Sequence, residues 1–397
     1  MADQPPVVIV GAGIAGLVAA LALARRGKAV TIVERAVHLE EVGAGIQLSP
    51  NAARVLVDLK LGDALRPVAF APAAIRIRDA RSNADIVRLP LDDIPARYGA
   101  PYWVVHRGDL QAALLSAVAD NARIKLHLGG YIEATRDDKD AVVADILFGE
   151  SRVSIAAEAL VGADGVWSKM RTLALGGGPA VYSGRIAWRA VVPIEAAETV
   201  AIEDLTRGTS LWLGSKIHLV TYPIRGGRLL NLIAAVDGDW LEPRYDVPGE
   251  PAEITAAFAN WPDPVRRLVE IPENWRKWAL CRAPNGPWTK GRTALIGDAA
   301  HAMLPFVAQG GAMAIEDAAV LSRHLTDTSR PVPRRLAAYE AERRPRALKV
   351  ADAAARNGRI YHLSGFSADS RNAVMRLLGP DRMLARMDWI WGWRDRD

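Results

Sequence analysis

Val7-Val8-Ile9-Val10-Gly11-Ala12-Gly13-Ile14-Ala15-Gly16 runs on through Leu17 to Ala24 and then into Val30-Thr31-Ile32-Val33-Glu34. Four apolar residues predict a buried strand, the glycines a tight turn, and the following apolar run a helix. Gly11 permits the turn, Gly13 lets backbone N–H groups approach a pyrophosphate, and Gly16 lets helix pack closely on strand. A helix N-terminus facing phosphate gains roughly 0.3–2 kcal/mol from the dipole alone. Glu34 closes the second strand about 20 residues beyond the glycines, where an acid accepts hydrogen bonds from an adenosine ribose. Three glycines at this spacing are weak evidence alone. Flanked by strand and helix and followed by the acid, they imply a bound dinucleotide with an unphosphorylated adenosine ribose. FAD and NAD both satisfy that description.

The 397 residues are 50% apolar, enough for one or two buried cores. No apolar run reaches the ~18 residues of a membrane span. The stretch Met1-Ala2-Asp3-Gln4-Pro5-Pro6 has no basic, cleavable leader character, which predicts a cytoplasmic protein. Cys281 is the sole cysteine, so neither an internal disulfide nor a cysteine metal cluster is expected. The formal charge is +5. Its densest run, Arg334-Arg335 through Arg343-Arg344-Pro345-Arg346, is interrupted by Glu340 and Glu342 and reads as a solvated helix face. Nucleic acid and membrane are therefore not expected partners, whereas small acidic substrates are.

Farther along, Gly43-Ala44-Gly45-Ile46-Gln47 precedes a helix at Ala52 to Leu59, and alone reads as a loop–helix junction. Ile75 to Arg88 alternates apolar and charged residues, predicting strands with one exposed face. Arg107 sits just before a helix expected over Leu110 to Ala119, where it could reach a phosphate or ribityl oxygen or pair with Asp109. Leu160-Val161-Gly162-Ala163-Asp164-Gly165 ends a strand in Asp-Gly, and Asp164 there either caps the next helix or meets a cofactor. Between Arg185 and Val236, four strand-like runs separated by glycine-bearing turns predict an antiparallel sheet. Period-two alternation puts His218, Val220 and Tyr222 on one face. Asp298 ends a further apolar strand, and Gly310-Gly311 open another helix. The aromatic tail Trp389-Ile390-Trp391-Gly392-Trp393 suits packing or a subunit contact, which leaves a homodimer open.

Three motifs in order, Gly11-Ala12-Gly13-Ile14-Ala15-Gly16 with Glu34, Ala163-Asp164-Gly165, and Gly297-Asp298-Ala299-Ala300-His301, resemble those of the FAD-dependent aromatic hydroxylases of the para-hydroxybenzoate hydroxylase fold. Gly43 to Gln47, His218 with Tyr222-Pro223, and Pro305 through Ala308-Gln309-Gly310 bring it nearest the salicylate and 3-hydroxybenzoate branch. The resemblance implies an α/β fold, α+β overall: a Rossmann-type FAD-binding domain (1–74, 101–180, 281–360) with an inserted antiparallel-sheet substrate domain (75–100, 181–280) and a C-terminal helical tail (361–397). It assigns Gly11, Gly13, Ala15, Gly16, Glu34, Arg35, Arg107, Asp164, Asp298, Pro305, Gly310, Gly311 and Ala312 to FAD, with Asp164 implicated also in nicotinamide binding. Gln47, His218, Tyr222 and Gln309 are assigned to the substrate, with His218 as base and Tyr222 and Gln309 orienting the ring. The implied reaction uses non-covalent FAD, NADH or NADPH as transient reductant, and O2. A flavin C4a-hydroperoxide would hydroxylate a phenolic aromatic acid. No second glycine fingerprint is present, which disfavours two-dinucleotide reductases, and the tail lacks the halogenase W-x-W-x-I-P pattern. The alternatives are a dehydrogenase or reductase on the same fold and a non-catalytic FAD-binding protein.

Overall fold

The computed structural model describes residues 5–39, 44–242 and 244–396. Glu41 to Gly43, part of the second glycine-bearing stretch, lie outside the described residues. A six-stranded sheet runs in the order Thr289–Lys290, Thr293–Leu295, Ala159–Gly162, Val7–Val10, Val30–Glu34, Ile124–Leu128. All its neighbours are parallel except the outermost hairpin pair. Val7–Val10 is central and buried throughout, as an all-apolar strand covered on both faces must be.

The helix Ile14–Arg25 lies between that sheet and the helix Gly310–Thr326. It is buried almost all round, with Leu17 and Leu23 fully enclosed, and each such side chain stabilises the fold by roughly 1.5–3 kcal/mol. Close approach depends on glycine. A Cβ on Gly16 would lie 2.0 Å from the Gly11 carbonyl oxygen, and Gly11 itself takes φ +108° against the Ala163 carbonyl.

An eight-stranded sheet forms the second layer, in the order Asp246–Gly249, Trp275–Arg282, Val181–Pro193, Leu229–Asp237, Ile217–Ile224, Thr209–Gly214, Ala74–Asp79, Asp85–Pro90. The four runs predicted between Arg185 and Val236 are its centre, and the excursion at Ile75 joins it through a parallel pairing with Thr209–Gly214. One expectation fails here. The charged face of Ala74–Asp79 is covered rather than exposed, since Arg76 and Arg78 are buried against Glu203, Asp204 and Asp85. Arg78 also lies over the Trp212 ring.

The arginine run is likewise only partly solvated. On the helix Val332–Tyr361, Arg335 and Arg343 are buried, and Arg343 is ion-paired to Glu316 and Asp317 at 2.6 and 2.8 Å. An alternating charge pattern cannot reveal acids that arrive from another helix. The aromatic tail packs inward: Trp391 is buried beside Tyr98 and Tyr102, while Trp393 lies over Arg343 and Arg346. Among the described residues, no helix is long and apolar enough to cross a membrane.

Candidate active site

The C-terminal ends of Val7–Val10, Val30–Glu34 and Ala159–Gly162, together with the turn after Thr293–Leu295, converge at one edge of the parallel sheet, where open α/β folds hold ligands. Glu34 accepts from the Ala12 N–H at 2.8 Å and the Ala36 N–H at 2.9 Å, which fixes its carboxylate beside the glycine turn. A carboxylate has lone pairs left over for a ribose. A Cβ on Gly13 would meet nothing within 4 Å, so this one glycine of the turn faces open space. Neither the helix Ile14–Arg25 nor the helix Gly310–Thr326 carries an acid in its first turn, leaving both positive ends to an incoming ligand.

Asp298 is exposed at the strand end. It is placed by a buried device: Gly297, at φ +58°, donates its N–H to Asp317 Oδ2 at 2.9 Å, and His301 binds the same oxygen. A Cβ on Gly297 would sit 3.1 Å from the Ala15 Cβ, which explains small residues at both positions. Pro305 opens a tight turn closed by the Ala308 N–H at 2.9 Å, with Ala308 in the left-handed region at φ +52°. This turn delivers Gly310, Gly311 and Ala312 as the start of the helix.

Arg107 begins the helix Arg107–Ala119 and is exposed. Asp109 pairs with Arg225 and faces His106 rather than Arg107. One turn on, Gln111 donates to the Ala12 carbonyl at 3.2 Å, so this helix end faces the glycine turn. Arg35 is exposed at the end of its strand. Ser168, not Asp164, is the N-cap of the helix Lys169–Leu173, accepting from the Arg171 N–H at 2.9 Å. Asp164 supports it from outside the helix, accepting from Ser168 Oγ at 2.5 Å and the Met170 N–H at 3.0 Å. Arg171 then ties this loop to the Asp298 turn through the Ala299 carbonyl at 2.9 Å. The acid, the open glycine turn, the free helix starts and the exposed Asp298 fit FAD.

The sheet face opposite this edge is set by register. Tyr222, Asn231 and Val191 form one cross-strand row; Val220, Ile233 and Arg189 the next; His218, Ala235, Ala187 and Trp278 a third. His218 and Tyr222 therefore share a face, as alternation predicts. The strand Gly45–Leu48 lies on it: the Gly45 N–H donates to Asn231 Oδ1 at 2.8 Å, and a Cβ on Gly45 would fall 2.3 Å from the Tyr222 ring. Gln47 accepts from the buried Tyr102 hydroxyl. Burial raises the pKa of both Tyr222 and Tyr102, which keeps these phenols protonated and able to donate.

Gln309 is placed differently from His218 and Tyr222. Its amide is buried, donating to Ser49 Oγ at 2.8 Å and accepting from Asn51 at 3.0 Å, and Asn51 also binds Glu316 at 2.7 Å. His218 lies 2.8 Å from His362 and packs edge-on against Phe306 and Tyr361. Burial, followed by the charges of His362 and Arg185, lowers its pKa well below the ordinary imidazole value.

Arg189 escaped the sequence reading. It is half-buried over the Trp278 ring, no carboxylate among the described residues pairs with it, and its Nε is a buried donor without a partner among them. Asn231 Nδ2, on the same face, is a second orphaned donor. The signal was available: Arg189 interrupts the apolar run Ile186 to Val192 at an in-facing position. Asn231 carries a similar signal within Leu229 to Ile233.

Comparison with known proteins gives the family. A family model described as an FAD binding domain matches residues 4–354. A 3-hydroxybenzoate 6-hydroxylase from Polaromonas naphthalenivorans is 33% identical over 399 residues, spanning 99% of this chain and 98% of that protein. A 6-hydroxynicotinate 3-monooxygenase from Bordetella bronchiseptica is 35% identical over 83% of this chain and 84% of its own. A salicylate hydroxylase solved with substrate superimposes with a TM-score of 0.84 at 24% identity, covering 99% of this chain and 97% of its own, and so shares the fold. The chain belongs to the FAD-binding-domain family and, within it, is an FAD-dependent aromatic-ring monooxygenase.

Proposed function

We propose that the substrate is a hydroxylated aromatic acid of the 3-hydroxybenzoate or salicylate kind, oxidised at the expense of NADH or NADPH. One observation carries the reading: a half-buried guanidinium with no acidic partner among the described residues shares a sheet face with a neutral imidazole and the protonated phenol of Tyr222. Arg189 and Val220 are two strand spacings apart, about 10 Å. An arginine side chain plus one benzoate ring bridges that span, with carboxylate on Arg189 and ring hydroxyl toward His218.

Bound FAD supplies the electron transfer and the oxygen activation. The protein's own residues do the rest. Arg189 and Asn231 hold the acid group, and Tyr222 donates a hydrogen bond that orients the ring. His218 takes the phenolic proton, because a phenolate is far more nucleophilic than a phenol. The inserted sheet covers the site against water.

The test is NADH oxidation by the FAD-loaded protein against hydroxybenzoates, their carboxamides and unhydroxylated benzoate. Stimulation confined to compounds with both carboxylate and ring hydroxyl is expected. Equal stimulation by the carboxamides would remove Arg189 and the acid from the reading.

A further inference from the structure

We propose that Asp237 and His362 set the tautomer of His218 and carry its proton to the surface. This rests on His218 acting as the base. His218 Nδ1 lies 2.8 Å from His362 Nε2, and His362 Nδ1 lies 3.0 Å from Asp237 Oδ1. Arg185 Nε donates to that same oxygen at 2.8 Å. Asp237 ends the strand Leu229–Asp237 with its side chain 36% exposed, whereas the His362 side chain is 5% exposed. The three groups thus form a line from a buried ring to solvent.

Burial lowers the pKa of both imidazoles. For His362 the nearby Asp237 opposes that shift, while Arg185 and Arg371 add to it. Tyr361, whose own pKa burial raises to about 12, and Phe306 complete the surroundings of His218. Near neutral pH both rings are therefore uncharged, and each carries one proton. The carboxylate only accepts, so the His362 proton sits on Nδ1 and its Nε2 is bare. That bare nitrogen accepts from His218 Nδ1–H, which leaves His218 Nε2 with a free lone pair. The surface carboxylate thereby turns the buried histidine into a base at one defined atom.

The proton balance is simple. The phenol O–H bond breaks as an N–H bond forms at His218 Nε2. The His218 Nδ1 proton passes to His362 Nε2, and the His362 Nδ1 proton to Asp237 and then to water. No buried imidazolium has to persist. The reverse sequence restores both tautomers when the product phenol is reprotonated. His362 and Asp237 are positioning and relay residues; His218 alone would meet the substrate.

Asp237→Asn tests this, because its amide oxygen, held in place by Arg185 Nε, still accepts from His362 Nδ1–H but cannot take the proton on, so the relay is cut and its charge is lost. In the FAD-loaded protein, the ultraviolet absorbance of a bound hydroxybenzoate should report its ionisation at a pH at least about one unit higher than in wild type. Turnover should fall roughly 10²–10⁴-fold, as for loss of a general base. Asp237→Glu, which keeps an accepting carboxylate, should restore most of both. His362→Gln should raise the ionisation pH similarly, and thermal melts of each variant exclude loss of fold. If Asp237→Asn and His362→Gln keep the wild-type ionisation and turnover while His218→Ala loses both, the relay is wrong and the base stands. If His218→Ala also behaves as wild type, the reading on which the relay rests fails with it.

Discussion

Arg189 is the residue whose environment asks most directly for a ligand. A guanidinium cannot shed its charge in a protein, and leaving one half-buried without an acid is costly. Hydrogen bonds from a charged group are worth about 1.5–3 kcal/mol. Arg189→Gln should therefore raise KM for the aromatic acid roughly tenfold to a hundredfold. It should leave the KM of the matching carboxamide nearly unchanged, and steady-state kinetics on both compounds checks this. His218→Ala should instead lower kcat by about 10²–10⁴ with a smaller effect on binding. His218 and Tyr222 were legible because strand alternation is a local property. His362, Asp237 and Tyr102 were not, because they reach the site from other elements and nothing in their own neighbourhoods marks them.

At the scale of elements, the glycine turn and the helix Gly310–Thr326 position the cofactor edge, and each depends on a feature that can be removed. The Gly16 contact with the Gly11 carbonyl leaves no room for a methyl group. Gly16→Ala should force strand and helix apart and weaken FAD binding at least tenfold, measurable by fluorescence titration of the apoprotein. The turn was readable because its glycines and Glu34 lie within one strand–helix–strand unit. The second helix was readable only as a start at Gly310. Its seat is a buried network of Glu316, Asp317, Arg343 and Arg346, with Asn51 and Gln309 joined to it. Breaking a buried pair by removing one member costs about 3–5 kcal/mol. Arg343→Met should lower the unfolding free energy by that order in urea denaturation, more than any surface arginine of the same run. The charge pattern concealed this, since Arg343 and Arg344 look alike until their partners are known.

Across the whole molecule, the same network joins the Asp298 turn to the C-terminal tail. Asp317 holds Gly297 and His301, Arg343 bridges Asp317 and Glu316, and Arg346 donates to the Trp389 and Ile390 carbonyls at 2.8 and 3.0 Å. Trp391→Ala, which empties a buried site beside Tyr98 and Tyr102, should destabilise the protein by about 3–5 kcal/mol. Stability should also fall with acid in two stages. His218 is held neutral, so the unfolded chain binds more protons below its ordinary pKa near 6.5, and stability declines as pH falls past that value. Burial would raise the Asp317 carboxyl, but His301 and Arg343 outweigh it and hold the pKa at about 2. That pairing contributes roughly 2–3 kcal/mol above pH ~4 and is lost as pH falls toward 2. Urea unfolding across this range should show both stages, and His218→Gln should remove part of the first.

The most direct test of the central claim is the mass of the product formed from a hydroxybenzoate under isotopically labelled O2, with NADH supplied. A dihydroxylated acid carrying one labelled oxygen, formed in step with NADH consumption, is the expected result. An oxidised product without labelled oxygen would contradict the account and make the chain a dehydrogenase on a hydroxylase fold.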